Sequence, residues 1–175
     1  MIKQVLLLLA LGITGCAAPK PAGSPADPRQ TAQVFYDTLR ANQVRGLPEG
    51  KAWRELQPLL TPELAAHFRD AEKIQAVFIR KNPSEKPPWC EGDLFSSLFE
   101  GPQSHIIGVA RIQGDRAEVP VKLLHADPSG SARWTDTLIL RQTARGWLVD
   151  DVIYGGNWPF APKGSLVEAL TSEGC

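Results

Sequence analysis

Two spacings of apolar residues divide the chain into a helical first half and a second half of strands. In the first half, apolar residues recur every three or four positions, as on one face of an amphipathic helix. From residue 105 onward they alternate with polar residues, as in half-buried strands. The predicted helices cover 28–45, 51–60, 62–80 and 165–170, and the predicted strands cover 105–113, 117–125, 133–141 and 147–154. The pattern predicts an α+β fold, with N-terminal helices packed on a four-stranded antiparallel sheet.

Local signals mark the ends of several of these elements. Asp27-Pro28 and Thr61-Pro62 each combine an N-cap residue with proline at the first helical position. Gly46 ends the first helix, and Asp127-Pro128-Ser129-Gly130 forms a turn between two strands. Tyr36 lies off the main apolar stripe of the first helix. It therefore either packs at the flank of that helix or forms the rim of a pocket.

The segment 83–101 has neither helical nor strand periodicity. Loops of this length in compact domains are usually functional or disordered, and the aromatic and cysteine content here predicts order. Within it, Asp93 has two interpretations. It either caps the turn at Ser96-Ser97 or points into a cleft as an acid.

The first 27 residues have the composition of an export signal followed by a tether. Residues 1–15 contain one positive charge, Lys3, and a short apolar run that is far below the roughly 20 residues needed to span a membrane. Residues 16–27 are rich in proline, alanine and glycine, and predict a solvated tether. We therefore expect a signal peptide over 1–15, a tether over 16–27 and a single domain over 28–175.

Ile13-Thr14-Gly15-Cys16 resembles the lipobox of bacterial lipoproteins. The resemblance implies that Cys16 becomes the first residue of the mature protein and carries a diacylglyceryl group and fatty acyl chains such as palmitate. Two or three acyl chains anchor a protein stably, whereas one does so only marginally. The expected location is the periplasmic side of the cell envelope, with membrane lipid as a partner through Cys16. Ala17, in place of aspartate, favours the outer membrane over the inner.

Composition sets further limits on function. The 175 residues carry 19 basic and 19 acidic side chains, which gives no basic footprint for nucleic acid. Once Cys16 is lipidated, Cys90 and Cys175 remain as an even pair in an oxidising compartment, which favours a disulfide over the alternative of two free thiols. No histidine or cysteine cluster has metal spacing, and no phosphate-binding loop or cofactor motif is present. We expect no cofactor and no metal.

Three stretches resemble a known fold. They are Val34-Phe35-Tyr36 in the first helix, Gly92-Asp93-Leu94-Phe95 in the long loop and residues 146–154 in the last strand. Over residues 29–171 the chain resembles a family of small bacterial envelope lipoproteins with a nuclear-transport-factor-like domain of unknown function. The resemblance implies a cone-shaped fold, like that of cystatins and ketosteroid isomerases, and implies no established activity.

An enzyme of this fold would place an acid and a hydrogen-bond donor inside the cone. The candidate acids are Asp93, Asp150 and Asp151, and the candidate donors are Tyr36, His105, His125 and Tyr154. Strict alternation in the last strand would send Asp150 to one face, with Val152 and Tyr154, and Asp151 to the other. Two simpler roles exist for either acid, an ion pair with Arg133, Arg141 or Arg145, or a position on the rim of a twisted sheet, and structural ion pairs also shift the pKa of such groups.

The chain has five tryptophans, and two of them lie in loops. If exposed together, Trp89, Asp93, Phe95 and Trp158 would form a binding edge for a peptide, glycan or protein. The hypothesis that fits best is a non-catalytic binding or accessory module of the envelope, with an unknown protein, peptide or small molecule as partner. The alternatives are a small-molecule-binding protein or weak enzyme using an acid inside the cone, and a periplasmic immunity-type toxin inhibitor.

Overall fold

The computed structural model describes residues 27–128 and 130–172. The signal peptide, most of the tether, Cys16 and Cys175 lie outside these residues. Within the described part, strands β1 to β5 form an open antiparallel sheet, and helices α1 to α4 pack against it. The predicted α+β class is therefore confirmed. The helices are α1 (Pro28–Ala41), α2 (Gly50–Leu56), α3 (Pro62–Lys81) and α4 (Leu166–Thr171), with a 3-10 turn at Gln57–Leu59. The strands are β1 (Ser104–Ile107), β2 (Arg111–Gln113), β3 (Arg116–Asp127), β4 (Gly130–Thr143) and β5 (Gly146–Ile153).

The two long helices begin at the predicted caps. The Asp27 side chain accepts a hydrogen bond from the Arg29 amide at 2.8 Å, and that of Thr61 accepts one from the Leu64 amide at 3.2 Å. Helix α1 ends at Ala41 rather than near Gly46, since Gln43 turns the chain into a positive φ of 48°. The apolar face of α3 is buried only as far as Ala71, beyond which Ile74 is 50% exposed.

The sheet has the order β1-β3-β4-β5, with β2 also paired to β3. The predicted first strand, 105–113, is therefore two short strands, and the prediction of four strands was wrong by one. Pro120 explains the interruption. Its carbonyl accepts the Gly108 amide at 2.8 Å, so its ring nitrogen faces the same edge and has no hydrogen to donate there. The chain passes this gap between Ile107 and Arg111 before pairing resumes.

A β-bulge in β5 changes which of its residues face the core. Ile139 pairs with Asp151, but Leu140 pairs with Val149, so Asp150 is an extra residue in the strand. Strict alternation was therefore the wrong expectation after Val149. Val152, which is fully buried, continues the face of Val149.

The core lies between the helices and one face of the sheet. From the sheet it takes the alternate residues of β3 and β4, and from the helices the apolar faces of α1, α3 and α4. Its fully buried side chains include Phe35, Leu64, Val119, Val121, Leu138, Leu140, Val149 and Leu166. The start of α3 is fixed to β5 by the Thr61 amide, which donates to the Val149 carbonyl at 2.8 Å. This arrangement leaves space under the C-terminal end of α1.

Candidate functional site

A cavity of about 200 Å³ lies under the C-terminal half of α1, and we call it the α1 cavity. Its walls come from α1, the segment that follows it, the long loop before β1, and β1 itself. The polar residues that line it are Tyr36, Arg40, Gln43, Arg45, Asp93 and His105. The apolar residues are Leu39, Val44, Phe95 and Pro102. Helix α1 contributes three of these residues, because positions 36, 39 and 40 lie on one face of the helix.

Tyr36 lines the α1 cavity, but its hydroxyl oxygen lies behind the cavity wall and has almost no accessible surface. Its side chain is 2% exposed, and its hydroxyl oxygen has no hydrogen-bond partner in the part of the chain that the structure describes. Its ring lies 5.4 Å from that of Phe35 in an edge-to-face arrangement and 5.5 Å from that of His105. Burial, and then the charges of Asp136 and Asp93, raise the pKa of Tyr36 well above its ordinary value. The hydroxyl is therefore neutral and keeps its proton.

Asp93 is the acid of the α1 cavity. Its Oδ1 accepts a hydrogen bond from the Phe95 amide at 2.6 Å, so it does form a turn within the long loop. Burial raises the pKa of Asp93 to about 6, although this hydrogen bond and the nearby Arg45 act in the opposite direction. The carboxyl group therefore changes its charge close to neutral pH. Both interpretations offered by the sequence, turn former and cavity acid, apply to this residue.

Gly101 allows Asp93 and Arg45 to approach the same stretch of backbone. It has a positive φ of 72°, and a Cβ there would overlap the Asp93 carboxylate and lie 2.7 Å from Nη1 of Arg45. A larger residue would push the two charged groups apart. The carbonyl of Gly101 also accepts a hydrogen bond from Nδ1 of His125 at 2.7 Å. This contact gives His125 a structural role in holding the loop onto β3.

His105 supports the side of the α1 cavity nearest β1. Its side chain is 7% exposed, and its Nε2 lies 3.5 Å from Oδ1 of Asp37 and 3.0 Å from Nε2 of Gln33. Burial lowers the pKa of His105 below its ordinary value, which outweighs the opposite effect of Asp37. The imidazole is therefore neutral at neutral pH.

Asp136, which the sequence analysis did not single out, holds the long loop in place. Its side chain is fully buried, and its Oδ2 accepts hydrogen bonds from the Ser97 amide and from Nε1 of Trp134, both at 2.9 Å. Its Oδ1 accepts from the Ser97 hydroxyl and from the Gly155 amide, the latter at 2.8 Å. The long loop, β4 and the chain after β5 therefore meet at one carboxylate. The alternation of side chains along β4 could have identified Asp136 from the sequence. Position 136 falls on the same face of the strand as Trp134 and Leu138.

Asp150 and Asp151 lie away from the α1 cavity. Oδ2 of Asp150 forms an ion pair with Arg141 at 3.2 Å, and Arg141 also pairs with Asp115. Oδ1 of Asp151 accepts the Val167 amide at 3.0 Å and so fixes the first turn of α4. Both acids have structural partners, and of the three candidate acids Asp93 alone lines the α1 cavity.

The residues of the predicted binding edge have separate contacts. Nε1 of Trp89 donates to the Ala169 carbonyl at 2.8 Å, while the Trp158 ring packs edge-to-face against that of Trp134 at 5.8 Å. Both tryptophans are half-buried. Phe95 is 2% exposed because it packs against the rings of Phe35 and Phe68. Phe95 therefore offers no exposed surface to a protein partner, although it does line the α1 cavity with Asp93.

Other features predicted from the sequence receive less support. Cys90 is an exposed free thiol, and its expected partner Cys175 lies outside the described residues, so the disulfide has no support in the structure. Across 27–128 and 130–172, no group of three or more histidine, cysteine, aspartate or glutamate side chains is placed to hold a metal ion. In the same ranges, every helix is too short or too polar to cross a bilayer.

Comparisons with known proteins support a broad class. No family model matches the chain. The chain is 25% identical over 181 residues to the uncharacterized lipoprotein YbjP of Escherichia coli strain K12, covering 99% of this chain and 96% of that protein. A phospholipid-binding protein from Ralstonia solanacearum, solved with a phospholipid, has 14% identity and a TM-score of 0.29. That match covers 83% of this chain and 59% of the other, and so low a score carries no structural argument. The similarity to YbjP supports placing the chain among small bacterial lipoproteins of the envelope.

Proposed function

We propose that this chain is a lipoprotein of the bacterial envelope, anchored through Cys16, whose periplasmic domain binds a small polar ligand in the α1 cavity without catalysing a reaction on it. The observation that carries the proposal is the α1 cavity itself, in which the carboxyl group of Asp93 and the guanidinium of Arg45 both lie beside Gly101. A polar ligand of suitable size would form hydrogen bonds with these two groups. The apolar side chains of the lining would cover the rest of the ligand.

The size of the α1 cavity limits the ligand. Pockets that enclose drug-sized molecules have volumes of about 300–1,000 Å³, whereas this cavity has about 200 Å³. The ligand is therefore smaller than a nucleotide. Its polar groups would meet Asp93 and Arg45, and its apolar part would meet Leu39 and Phe95.

The anchor rests on the lipobox resemblance and is supported by the full-length similarity to a lipoprotein. We place the domain at the outer membrane, because Ala17 follows Cys16. The test is globomycin treatment of cells that express the protein, followed by immunoblotting of the precursor. Accumulation of a precursor that retains residues 1–15 is expected. Normal processing under globomycin would contradict lipidation at Cys16.

A second candidate function is acid–base catalysis at Asp93. One observation favours it. Burial raises the pKa of Asp93 to about 6, which suits a group that accepts and releases protons near neutral pH. We rank this second, because Oδ1 of Asp93 is already used by the Phe95 amide. A cone-shaped closure of the sheet would suit either function and remains part of the proposal.

The ligand-binding proposal is tested with a panel of small anionic, neutral and cationic molecules and ligand-detected NMR on the envelope-purified protein in detergent. We expect at least one class to bind the wild type and to bind Arg45→Gln with a different affinity, because Arg45 lines the α1 cavity. Phe160→Leu is the control, because Phe160 is 84% exposed and does not line the α1 cavity. If every class binds the wild type and Arg45→Gln equally, or none binds, the α1 cavity is not a ligand site.

A further inference from the structure

The two edges of the sheet differ in how they are covered. At the β5 edge, the Thr61 amide donates to the Val149 carbonyl, and Ile153 forms a bridge with Ser165. At the opposite edge, β1 and β2 pair with β3 and with no other strand among the described residues. We call residues 104–113 the β1–β2 edge. An uncovered sheet edge is a place where a partner can bind.

Apolar side chains are exposed along the β1–β2 edge. Ile106, Val109 and Ile112 are each more than half exposed, and Val109 is the most exposed of the three. Val109 lies in the gap between β1 and β2, where the chain does not pair with β3. Single exposed apolar residues are ordinary, but three so close together indicate a surface that contacts something other than water.

Basic side chains lie beside these apolar ones. On the face of the sheet opposite the core, Ile106, Lys122, Leu124 and Arg133 line a shallow depression of about 270 Å³. The other residues that line it are Ser104, Leu123, Trp134 and Thr135, so its described lining contains no acid. Lys122 and Arg133 form no ion pair with any residue that the structure describes. The depression therefore combines positive charge with an apolar surface.

The acids of this part of the sheet have other partners. Residues 104–125 and 130–141 contain three of them, Asp115, Glu118 and Asp136. Asp115 forms an ion pair with Arg141 at 3.3 Å, and Glu118 forms one with Arg116 at 2.8 Å. Asp136 is fully buried on the core side, where it holds the long loop. None of the three neutralises the positive charge of the depression by direct contact.

The N-terminal end of the domain lies at this same edge. Arg29, in the first turn of α1, donates from its Nε to the Gly108 carbonyl at 3.0 Å. Asp27, which caps α1, is the first residue that the structure describes. Residues 16–27 span at most about 40 Å even when fully extended. A lipid on Cys16 would therefore keep the β1–β2 edge close to the bilayer surface.

We propose that the β1–β2 edge docks onto the anionic phospholipid surface of the bilayer that holds Cys16. Lys122 and Arg133 contact the headgroup phosphates, and Ile106 and Val109 enter the headgroup layer. Anionic bilayers attract basic side chains and take up exposed apolar ones at their interface. A second copy of the chain carries the same positive charges and so complements this edge less well. The inference rests on the lipid anchor of the proposed function and is independent of the α1 cavity.

The test is hydrogen–deuterium exchange, followed by mass spectrometry, on the lipidated protein purified from the envelope. It is measured in detergent, in phosphatidylcholine nanodiscs and in nanodiscs in which about a third of the lipid is phosphatidylglycerol. Docking should slow amide exchange over residues 104–113 by about threefold or more in the anionic nanodiscs relative to the neutral ones. Exchange over residues 78–86 should be the same in both, because α3 packs against β5 and α4 rather than at this edge.

Two double variants that lose the same charge separate docking at this edge from general attraction to the bilayer. Lys122→Gln with Arg133→Gln removes the cations of the depression, and Arg80→Gln with Lys81→Gln removes a matched pair from the exposed last turn of α3. One cation near an anionic surface changes the docking equilibrium about fivefold, so the first pair should change it about 25-fold and abolish the protection. The second pair should keep it. Thermal melting establishes that both variants are folded.

The outcomes distinguish this inference from the proposed function. Equal exchange over residues 104–113 in neutral and anionic nanodiscs would overturn the inference and leave the anchor intact. Protection in detergent that grows with protein concentration would mean that the edge pairs with a second copy, and it would also overturn the inference. Equal loss of protection in both double variants would do the same. A protein that enters neither kind of nanodisc would contradict the anchor at Cys16, and docking with it.

Discussion

Replacing Asp136 by asparagine should destabilise the fold more than any other single removal of one charge in the domain. The carboxylate is fully buried and holds the Ser97 amide, the Ser97 hydroxyl, Nε1 of Trp134 and the Gly155 amide. All four groups are neutral donors, two to each oxygen. Asparagine keeps the size of the side chain but has one oxygen and one NH₂ group. Two of the four donors therefore lose their acceptor.

The magnitude follows from which oxygen is replaced. An NH₂ group at the Oδ2 position would face the Ser97 amide and Nε1 of Trp134, neither of which accepts a hydrogen bond. With NH₂ at the Oδ1 position, the Ser97 hydroxyl can turn and accept, and the Gly155 amide alone stays unpaired. The second arrangement costs less, but it still loses a charge-assisted hydrogen bond and leaves a buried N–H. We expect a loss of about 2–4 kcal/mol in the free energy of unfolding.

The assay is urea denaturation at pH 7, followed by tryptophan fluorescence, with thermal melting alongside. For a domain of this size a loss of 2–4 kcal/mol lowers the melting temperature by about 4–16 °C. Asp70→Asn is the control, because Asp70 is exposed and makes only a surface ion pair with Lys73, which is expected to contribute under about 1 kcal/mol. A value for Asp136→Asn within about 0.5 kcal/mol of the wild type would refute the assigned role of this carboxylate.

Three further predictions concern Tyr36, Asp93 and the cysteines. Tyr36→Phe should raise the free energy of unfolding of the ligand-free protein by about 1 kcal/mol, measured by urea denaturation. The change removes a buried hydroxyl that has no partner among the described residues, and it keeps the ring. A loss above about 1 kcal/mol would mean that the hydroxyl has a partner. The pKa of Asp93 is about 6 in the fold and 3.8 ordinarily, so its stabilising contribution is full below pH 3.8 and is lost as the pH rises through 6. Denaturation at pH 4 and pH 7 should show Asp93→Asn gaining stability relative to the wild type at the higher pH, and an unchanged difference would contradict the assignment. If Cys90 and Cys175 are bonded, as the sequence predicts, the intact protein gains two hydrogens in mass on reduction; equal masses would leave two free thiols.

The sequence predicts the order of the elements well, because the signals involved are local. Asp27-Pro28 and Thr61-Pro62 place the starts of α1 and α3 correctly, since a cap and a proline act within one turn of helix. The split of the first strand was missed. It depends on Pro120, a residue of the neighbouring strand, and such a cross-strand effect is not visible from the spacing of apolar residues alone.

The site was harder to predict than the fold, because its residues meet only through tertiary structure. The sequence identifies Asp93 as a candidate acid, but it equally predicts that Asp93 caps a turn. It could not separate these two roles. Asp136 was overlooked because polar residues in strands are usually assigned to the solvent face. Asp150 and Asp151 were assigned to faces by strict alternation, which the bulge at Asp150 invalidates.

NMR of the protein labelled with ¹³C at the tyrosine Cζ provides the most direct test of the α1 cavity as a binding site. The chain has two tyrosines, so the spectrum contains two signals, which Tyr154→Phe assigns. Tyr154 donates to the Leu94 carbonyl at 2.6 Å, whereas Tyr36 makes no such bond to any residue within 27–128 and 130–172. We predict that a molecule of the ligand panel that binds the wild type shifts the Tyr36 signal to saturation, because Tyr36 lines the α1 cavity, and leaves the Tyr154 signal in place. A Tyr36 signal that stays unchanged when that molecule saturates the protein would contradict the account.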